Sequence, residues 1–522
     1  MIKIDFKTEY EQQKEYILQL EAEIKLLREQ VLLARHKQFA PKSEQINTNQ
    51  LTLSEEGDVF NEIEAESNSL LPEPELEEII YKRKKQKGKR EQDLSAFPVE
   101  RVIIELPENE QICTPCGSAL IPVGEIVVRR ELTVTPPVYK VTEYVQVTYG
   151  CENKCDKSEP IKSSVPAPLI PNSGIASPSL VAQIANNKFT QALPIHRQES
   201  ELKRNGINLS RQTMANWLMY VYEHYLQHFM AFLMAYIIAQ EVLHADETTT
   251  QVLLEPERKA QTKSYMFVVR TAGSCANQAA LFEYSPTRSA VTPKRIFADY
   301  NGYLHTDGYQ VYRGIEGVIV VGCFAHVRRY YFEALKSLSQ ENQKSSYANK
   351  GLQYCDAMFK IERDFREKEL SFDERKIQRD LYLKPLAEEF FTWAETQLAK
   401  CSEVKSALQK ALFYTVNQKS YLMNVFLDGR LELSNNLVEN AIRPFAVGRK
   451  NWLFCTSEKG AKASAAFYSI IETAKANNLK PYEYLKFLFE QMPNTPIEQY
   501  DSLLPWSQNV PDSCKSKVPI EK

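Results

Sequence analysis

Apolar residues recur along this chain with different periods, and the period predicts the elements. Near the N-terminus Ile17, Leu20, Ile24, Leu27 and Val31 alternate at intervals of three and four, with Glu, Lys and Arg between them. That is a heptad seam. It predicts a coiled-coil helix over residues 9–40 that pairs with another copy or, failing that, packs on its own domain. The helical period returns over 180–189, 195–204 and 209–218, with Asn205-Gly206 as a turn and Ser210 as a cap. Between 240 and 340 short apolar runs replace it. They predict strands at 240–248, 265–269, 279–284, 303–306 and 318–321, with helices at 293–298 and 324–335. Residues 341–425 are rich in Lys, Glu and Gln with a helical pattern, and so form a helical insertion. A further helix starts among Ser434, Asn435 and Asn436, all N-cap types, and runs through Ala446, with Pro444 kinking it or ending it early.

Composition adds less than its distribution does. The chain has 522 residues, 43% of them hydrophobic and 25% charged, with a net charge of -3. That suits a globular protein of about three to five domains, and the net charge says nothing about a polyanionic partner. Locally the picture differs. From Glu55 to Glu78 there are ten acidic residues and no basic one, whereas seven of the nine residues from Lys82 to Arg90 are basic. Residues 46–92 therefore read as an acidic, then basic linker, and Lys82, Arg83, Lys84 and Lys85 as an arm for phosphates. The longest apolar run, 229–239, is shorter than the ~18 residues of a spanning helix, and the N-terminus lacks the apolar core of a signal peptide. The expectation is a cytoplasmic protein without a membrane partner.

Two cysteine pairs stand out, Cys113 with Cys116 and Cys151 with Cys155. Four thiolates at these spacings suit one structural Zn²⁺ in a small β module over residues 93–160; the alternative is four ordinary reduced thiols. Five prolines across 160–178 form a connector. The helices of 176–228 then suggest a helix-turn-helix, with Arg211, Gln212 and Asn216 on the exposed face of its last helix, where base edges could be read. Helical hairpins without any nucleic acid are equally compatible with that pattern.

Three carboxylates are candidates for chemistry. Asp246 falls at the end of the first strand, where burial is costly unless a cation or hydrogen bonds compensate it. Asp307 ends the fourth strand. Glu439 lies in the first turns of the late helix, four residues before Arg443 and close to Arg449 and Lys450, a basic run suited to a phosphate backbone. A capped helix with a surface ion pair is the alternative there. Glu247 should point to the opposite strand face from Asp246 and is left out. His326, alone at a helix start, reads as a hydrogen-bonded structural residue rather than a metal ligand.

The segments His244-Ala-Asp-Glu-Thr, Thr306-Asp-Gly-Tyr, Gly322-Cys-Phe-Ala-His-Val-Arg-Arg and Asp428-Gly-Arg-Leu-Glu-Leu-Ser-Asn-Asn-Leu-Val-Glu-Asn-Ala-Ile-Arg-Pro, followed by Val447-Gly-Arg-Lys-Asn-Trp-Leu-Phe, occur in this order. Together they resemble the DDE transposases of the insertion-sequence-66 (TnpC-type) family over nearly the full length. The resemblance implies a multidomain α+β protein. Its catalytic domain would be ribonuclease H-like, built from residues 238–340 and 426–495 around the insertion, with a tail over 496–522. It implies Asp246, Asp307 and Glu439 as a triad for two Mg²⁺ ions, with Mn²⁺ as a substitute. Asp246 would bridge both ions, with Asp307 on one and Glu439 on the other. Two such ions ~3.5–4 Å apart activate a water and stabilise a leaving oxygen. The implied activity is cleavage at the element's ends and strand transfer into target DNA. The implied partners are terminal inverted repeats, target DNA, further copies of the chain and small accessory proteins of the same element. The competing readings are a DNA-binding regulator without catalysis and a ribonuclease H-like nuclease without strand transfer.

Overall fold

The computed structural model describes Arg101 and residues 138–149, 161–162, 164–401 and 406–517. The expected coiled coil, the charged linker with Lys82, Arg83, Lys84 and Lys85, and Cys113, Cys116, Cys151 and Cys155 lie outside the described residues. The described residues fall into two compact units, those up to Val165 and those from Pro166 on. In the first, two short strands, β1 (Thr148–Tyr149) and β2 (Ile161–Lys162), pair antiparallel.

The larger unit begins with three helices, α1 (Pro178–Phe189), α2 (Ile195–Arg204) and α3 (Arg211–Val221). Ser177 and Ser210 cap α1 and α3 by accepting from Leu180 and Thr213 backbone N–H groups. Gly206 sits at φ +79° in the turn before α3, a conformation that costs glycine little. Buried Gln198 donates to the carbonyls of Ile184 and Leu193, which joins α2 to α1. A π-helical turn, Tyr222–Leu226, carries α3 into α4 (Gln227–Ile238).

A mixed sheet forms the centre of this α/β unit. Its strands are β3 (Val242–Leu254), β4 (Lys263–Thr271), β5 (Ala280–Ser285), β6 (Gly302–His305) and β7 (Val318–Val321), in the order β5-β4-β3-β6-β7. The first three pair antiparallel; β6 and β7 run parallel to β3. A short helix, α5 (Val291–Ile296), precedes β6, and α6 (Phe324–Lys336) follows β7. Val242 and Leu243 are adjacent on β3, so they point to opposite faces, and they enter two different apolar clusters.

Leu243's cluster takes in α1, α3, α4 and three later helices. These are α11 (Asn436–Trp452), α12 (Glu458–Ala476) and α13 (Pro481–Gln491). Between α6 and α11 the insertion contributes α7 (Tyr347–Glu367), α8 (Phe372–Gln378), α9 (Lys384–Ala399) and α10 (Ala407–Met423). Val242's cluster packs α6 against α7, α9 and α10 through Tyr331, Met358, Phe390, Phe391 and Leu412. The free edge of β5 is covered by α12. Ser469 and Thr473 hydroxyls accept from the backbone N–H groups of Phe282 and Ala280 at 2.7 and 3.0 Å, so unpaired donors of an edge strand meet a helix.

Pro444 does not end α11, which continues to Trp452 and stops where Leu453 turns to φ +67°. A proline removes one N–H from the ladder. Here the helix is held on both sides of it, by Arg270 donating to the Leu437 carbonyl at 2.7 Å and by Arg449 donating to Thr248 and Thr249 of β3.

Candidate active site

β3 changes partner halfway along. Its last pair with parallel β6 is His244↔His305, and its pairing with β8 (Cys455–Ser457) begins at Val252. Between them this edge of β3 has no ladder partner among the described strands. Asp246 lies in that gap, within β3 and not at its end as expected, because β3 stays paired with β4 up to Gln251 after β6 has stopped. Asp307 leaves the end of β6 beside it. Its carboxylate accepts from the Tyr309 N–H at 2.9 Å, and Gly308 makes the turn at φ +93°. A Cβ on Gly308 would also meet Gln418 and the Tyr414 hydroxyl at 3.0 Å, so glycine is required twice over.

Glu247 joins this pair, contrary to the expectation from strand alternation. One carboxylate oxygen each from Asp246, Glu247 and Asp307 fall within 4.8 Å of one another. The Glu247 side chain is 1% exposed. Arg288 Nε donates to it at 2.7 Å and Tyr312 at 2.8 Å, and these contacts draw the carboxylate toward the gap. Arg288 lies over the Tyr309 ring at 3.7 Å, and the Tyr309 hydroxyl donates to the Arg288 carbonyl at 2.7 Å. Burial, then the charges of Asp307 and Glu247, push the Asp246 carboxyl up to about 8. Crowded, poorly solvated carboxylates of this kind fit a hard divalent cation, which takes oxygen ligands and removes the repulsion.

Glu439 approaches from α11 and raises the Asp246 carboxyl further, as the weakest of these influences. It keeps company with α6. Arg329 donates to Oε2 at 3.2 Å, and His326 Nδ1 stands 3.8 Å from Oε1. Cys323, His326 and Glu439 form a second group of donor atoms within 4.8 Å. His326 thus shares a cluster of possible donor atoms with Cys323 and Glu439. Arg443 and Lys450 are exposed, whereas Arg449 is part-buried against β3, engaged in holding α11. On α3, Arg211, Gln212 and Asn216 are exposed, with Gln212 donating to Asn216 at 3.0 Å, while Met214, Trp217 and Leu218 face the core.

Two histidines underlie the carboxylates. His244 and His305 each precede a site aspartate by two residues, face each other across β3 and β6, and stack at 4.3 Å. Burial lowers His244 to about 4 and His305 well below its usual value, so both are neutral. The loop before α11 grips both. Asn435 Oδ1 accepts from His244 Nδ1 at 2.9 Å, Asn435 Nδ2 donates to the Ala245 carbonyl at 2.9 Å, and the Glu432 N–H donates to His305 Nε2 at 3.3 Å. Asn435 stands at the N-cap of α11, but its side chain makes no cap hydrogen bond and binds β3 instead. Asn435→Ala would leave two buried polar groups unpaired and is expected to cost ~1–3 kcal/mol in urea unfolding. A loss below about 0.5 kcal/mol would contradict this account. The histidines carried a signal, since one occurs two residues before each aspartate. Arg288 and Arg329 carried none.

The family model described as "Transposase IS66 family" matches residues 173–463, and that for the IS66 C-terminal element matches 469–506. The zinc-finger binding domain of transposase IS66 matches 110–155, spanning both cysteine pairs, and the model described as "Transposase C of IS166 homeodomain" matches 26–102. Among curated relatives, the uncharacterized protein y4hP of Sinorhizobium fredii is 30% identical over 430 residues, 78% of this chain and 74% of its own length. The uncharacterized proteins y4qI and y4jD of the same organism are 28% and 29% identical, over 79% of this chain and 76% and 80% of theirs. Among the described residues no helix is long and apolar enough to cross a membrane.

Proposed function

Because the chain belongs to the IS66 family of transposases, we propose that it binds the ends of its element and catalyses divalent-metal-dependent cleavage and strand transfer. The observation that carries this reading is the gap in the β3 edge. Asp246 sits within β3 there, Asp307 follows the end of the neighbouring parallel strand β6, and α11 brings Glu439 toward Asp246. The strand order, with three antiparallel strands followed by two parallel ones, supports a ribonuclease H-like catalytic domain.

Asp246 and Asp307 are the residues that would hold Mg²⁺ or Mn²⁺, with Glu439 completing the set. Bound there, two such ions supply an activated water and a stabilised leaving oxygen for in-line displacement at phosphorus. The chain's own part is to orient and to neutralise. Glu247 fixes Arg288 beside the aspartates, where its guanidinium, 41% exposed, can meet a DNA phosphate. Arg443 and Lys450 add charge along the exposed side of α11. The exposed face of α3 with Arg211, Gln212 and Asn216 suits recognition of the terminal repeats, and the cysteine module suits a structural zinc. Pairing of two ends calls for at least two chains, which the N-terminal heptads would join; small accessory proteins of the element complete the assembly.

The test is a cleavage and strand-transfer assay on DNA carrying the element's own ends, with Mg²⁺ and the accessory proteins, comparing wild type with Glu439→Gln. Joined products from wild type alone are expected. Specific end binding with no cutting by either protein would point to a DNA-binding regulator.

A further inference from the structure

Cys323, His326 and Glu439 make a second constellation of a different chemical kind from the carboxylates beside it. Cys323 is the N-cap residue of α6 and His326 its third residue. Side chains at the N-cap and third positions meet, as in a capping box, so Cys-x-x-His at a helix start converges thiol and imidazole by local geometry. Glu439 arrives from α11, and the three donor atoms lie within 4.8 Å of one another.

Two of these atoms lack hydrogen bonds. His326 Nδ1 and Glu439 Oε1 are buried without a hydrogen-bond partner, and they face each other at 3.8 Å, too far for a hydrogen bond. Buried polar atoms are ordinarily satisfied, and two orphans aimed at one point beside a sulfur mark the place of a missing partner. A cation would satisfy both atoms at once, since all three groups can offer lone pairs.

The surroundings support the donors. The Asn435 N–H donates to Cys323 Sγ at 3.1 Å, and Arg329 occupies Glu439 Oε2, leaving Oε1 for the ion. The thiol lies at the bottom, 1% exposed, with the His326 and Glu439 side chains 18% and 24% exposed at the mouth, which provides an entry path. A sulfur, a nitrogen and an oxygen ligand select a borderline-soft ion over Mg²⁺, and three protein ligands leave a fourth tetrahedral position open.

We propose that Cys323, His326 and Glu439 form a Zn²⁺-class site, separate from the cysteine module, that takes Glu439 as a ligand. Bound there, Zn²⁺ would compete with the carboxylate site for Glu439. The site itself rests on its three donors and not on a catalytic role for Glu439.

The test is a metal count on the full chain. Wild type, Cys323→Ser, His326→Gln and Glu439→Gln would be dialysed against Zn²⁺ in excess Mg²⁺, and bound zinc measured per chain. Wild type should hold one zinc more than each variant. In parallel, Co²⁺ should give a thiolate-to-metal absorption band in wild type that exceeds that of Cys323→Ser, and His326→Gln should weaken that increment at least ~10-fold. Near-UV circular dichroism would check that each variant folds; His326→Gln and Glu439→Gln keep the test open if loss of the buried thiol perturbs the core. Equal zinc counts in wild type and the folded variants would overturn the site. An extra zinc that vanishes in the variants would stand even if no DNA cleavage were found.

Discussion

Asp246→Asn is expected to abolish DNA cleavage while making the metal-free protein more stable. The two effects share one cause. The aspartate is held against Asp307 and Glu247 in a poorly solvated gap, and its carboxyl titrates near 8 instead of near 3.8. A carboxyl raised in the folded state contributes no penalty below its unfolded value. The penalty then grows as pH rises toward the folded value. At pH 7 it is on the order of 1–4 kcal/mol. Asparagine keeps the shape and can still accept from the Glu247 N–H, which meets Asp246 Oδ1 at 2.8 Å, but it cannot ionise. The variant should therefore melt higher in chelator at pH 7–8, by ~2–4 °C per kcal/mol, and the gap between the two proteins should close as pH falls toward 4. Cleavage should drop by more than the ~10–100-fold that loss of an outer partner of a metal ligand produces. A variant that cuts DNA normally would remove Asp246 from the site. One that melts lower at every pH would show that the carboxylate is satisfied by contacts within the chain.

The same gap shows what could be read in the sequence. Strand and helix periods lie within single elements, so β3 to β7 and α1 to α3 were legible, as was Asp307 after the end of β6; Asp246 reads as a strand end, but β3 runs on to Leu254. Residues whose partners are distant in sequence were not legible. Asn435 looks like a helix cap, but its side chain crosses to β3, 190 residues away, where it is worth more. Glu247 should alternate away from Asp246, but Arg288, 41 residues on, holds its carboxylate beside the aspartates. Arg449 reads as a phosphate ligand by charge, whereas Thr248 and Thr249 occupy it. Pro444 reads as a kink or an early end, but contacts on either side of it carry the helix through to Trp452. In each case a long-range partner outweighed a local preference of about 1–3 kcal/mol.

Arg379 is the extreme instance, and Arg379→Ala should be among the most destabilising substitutions in the chain. It sits in the Lys-, Glu- and Gln-rich stretch that reads as a helical insertion, yet it is 0% exposed. Its guanidinium meets Glu362 through Nε at 2.9 Å and Nη2 at 2.6 Å. Its remaining hydrogen bonds go to the carbonyls of Val425 and Asp428 at 3.3 Å and of Leu431 at 2.7 Å. All five donors of the fork are used. The three carbonyls belong to the loop that carries the chain back from the insertion toward Asn435 and Glu439, so one side chain fastens the insertion to the site. Removing it strands a buried carboxylate, for which the expected cost is ~3–5 kcal/mol in urea unfolding. Arg375, 3.9 Å from the same carboxylate, is too distant to replace it. Lysine cannot reproduce the fork and should recover only part of the loss. Replacing both charges, Arg379→Met with Glu362→Leu, should recover more, because it removes the stranded charge along with its partner. The double variant should nevertheless cleave poorly if the guanidinium's hold on residues 425–431 is what positions Glu439. Recovery of stability together with full cleavage would mean that the pair serves packing alone.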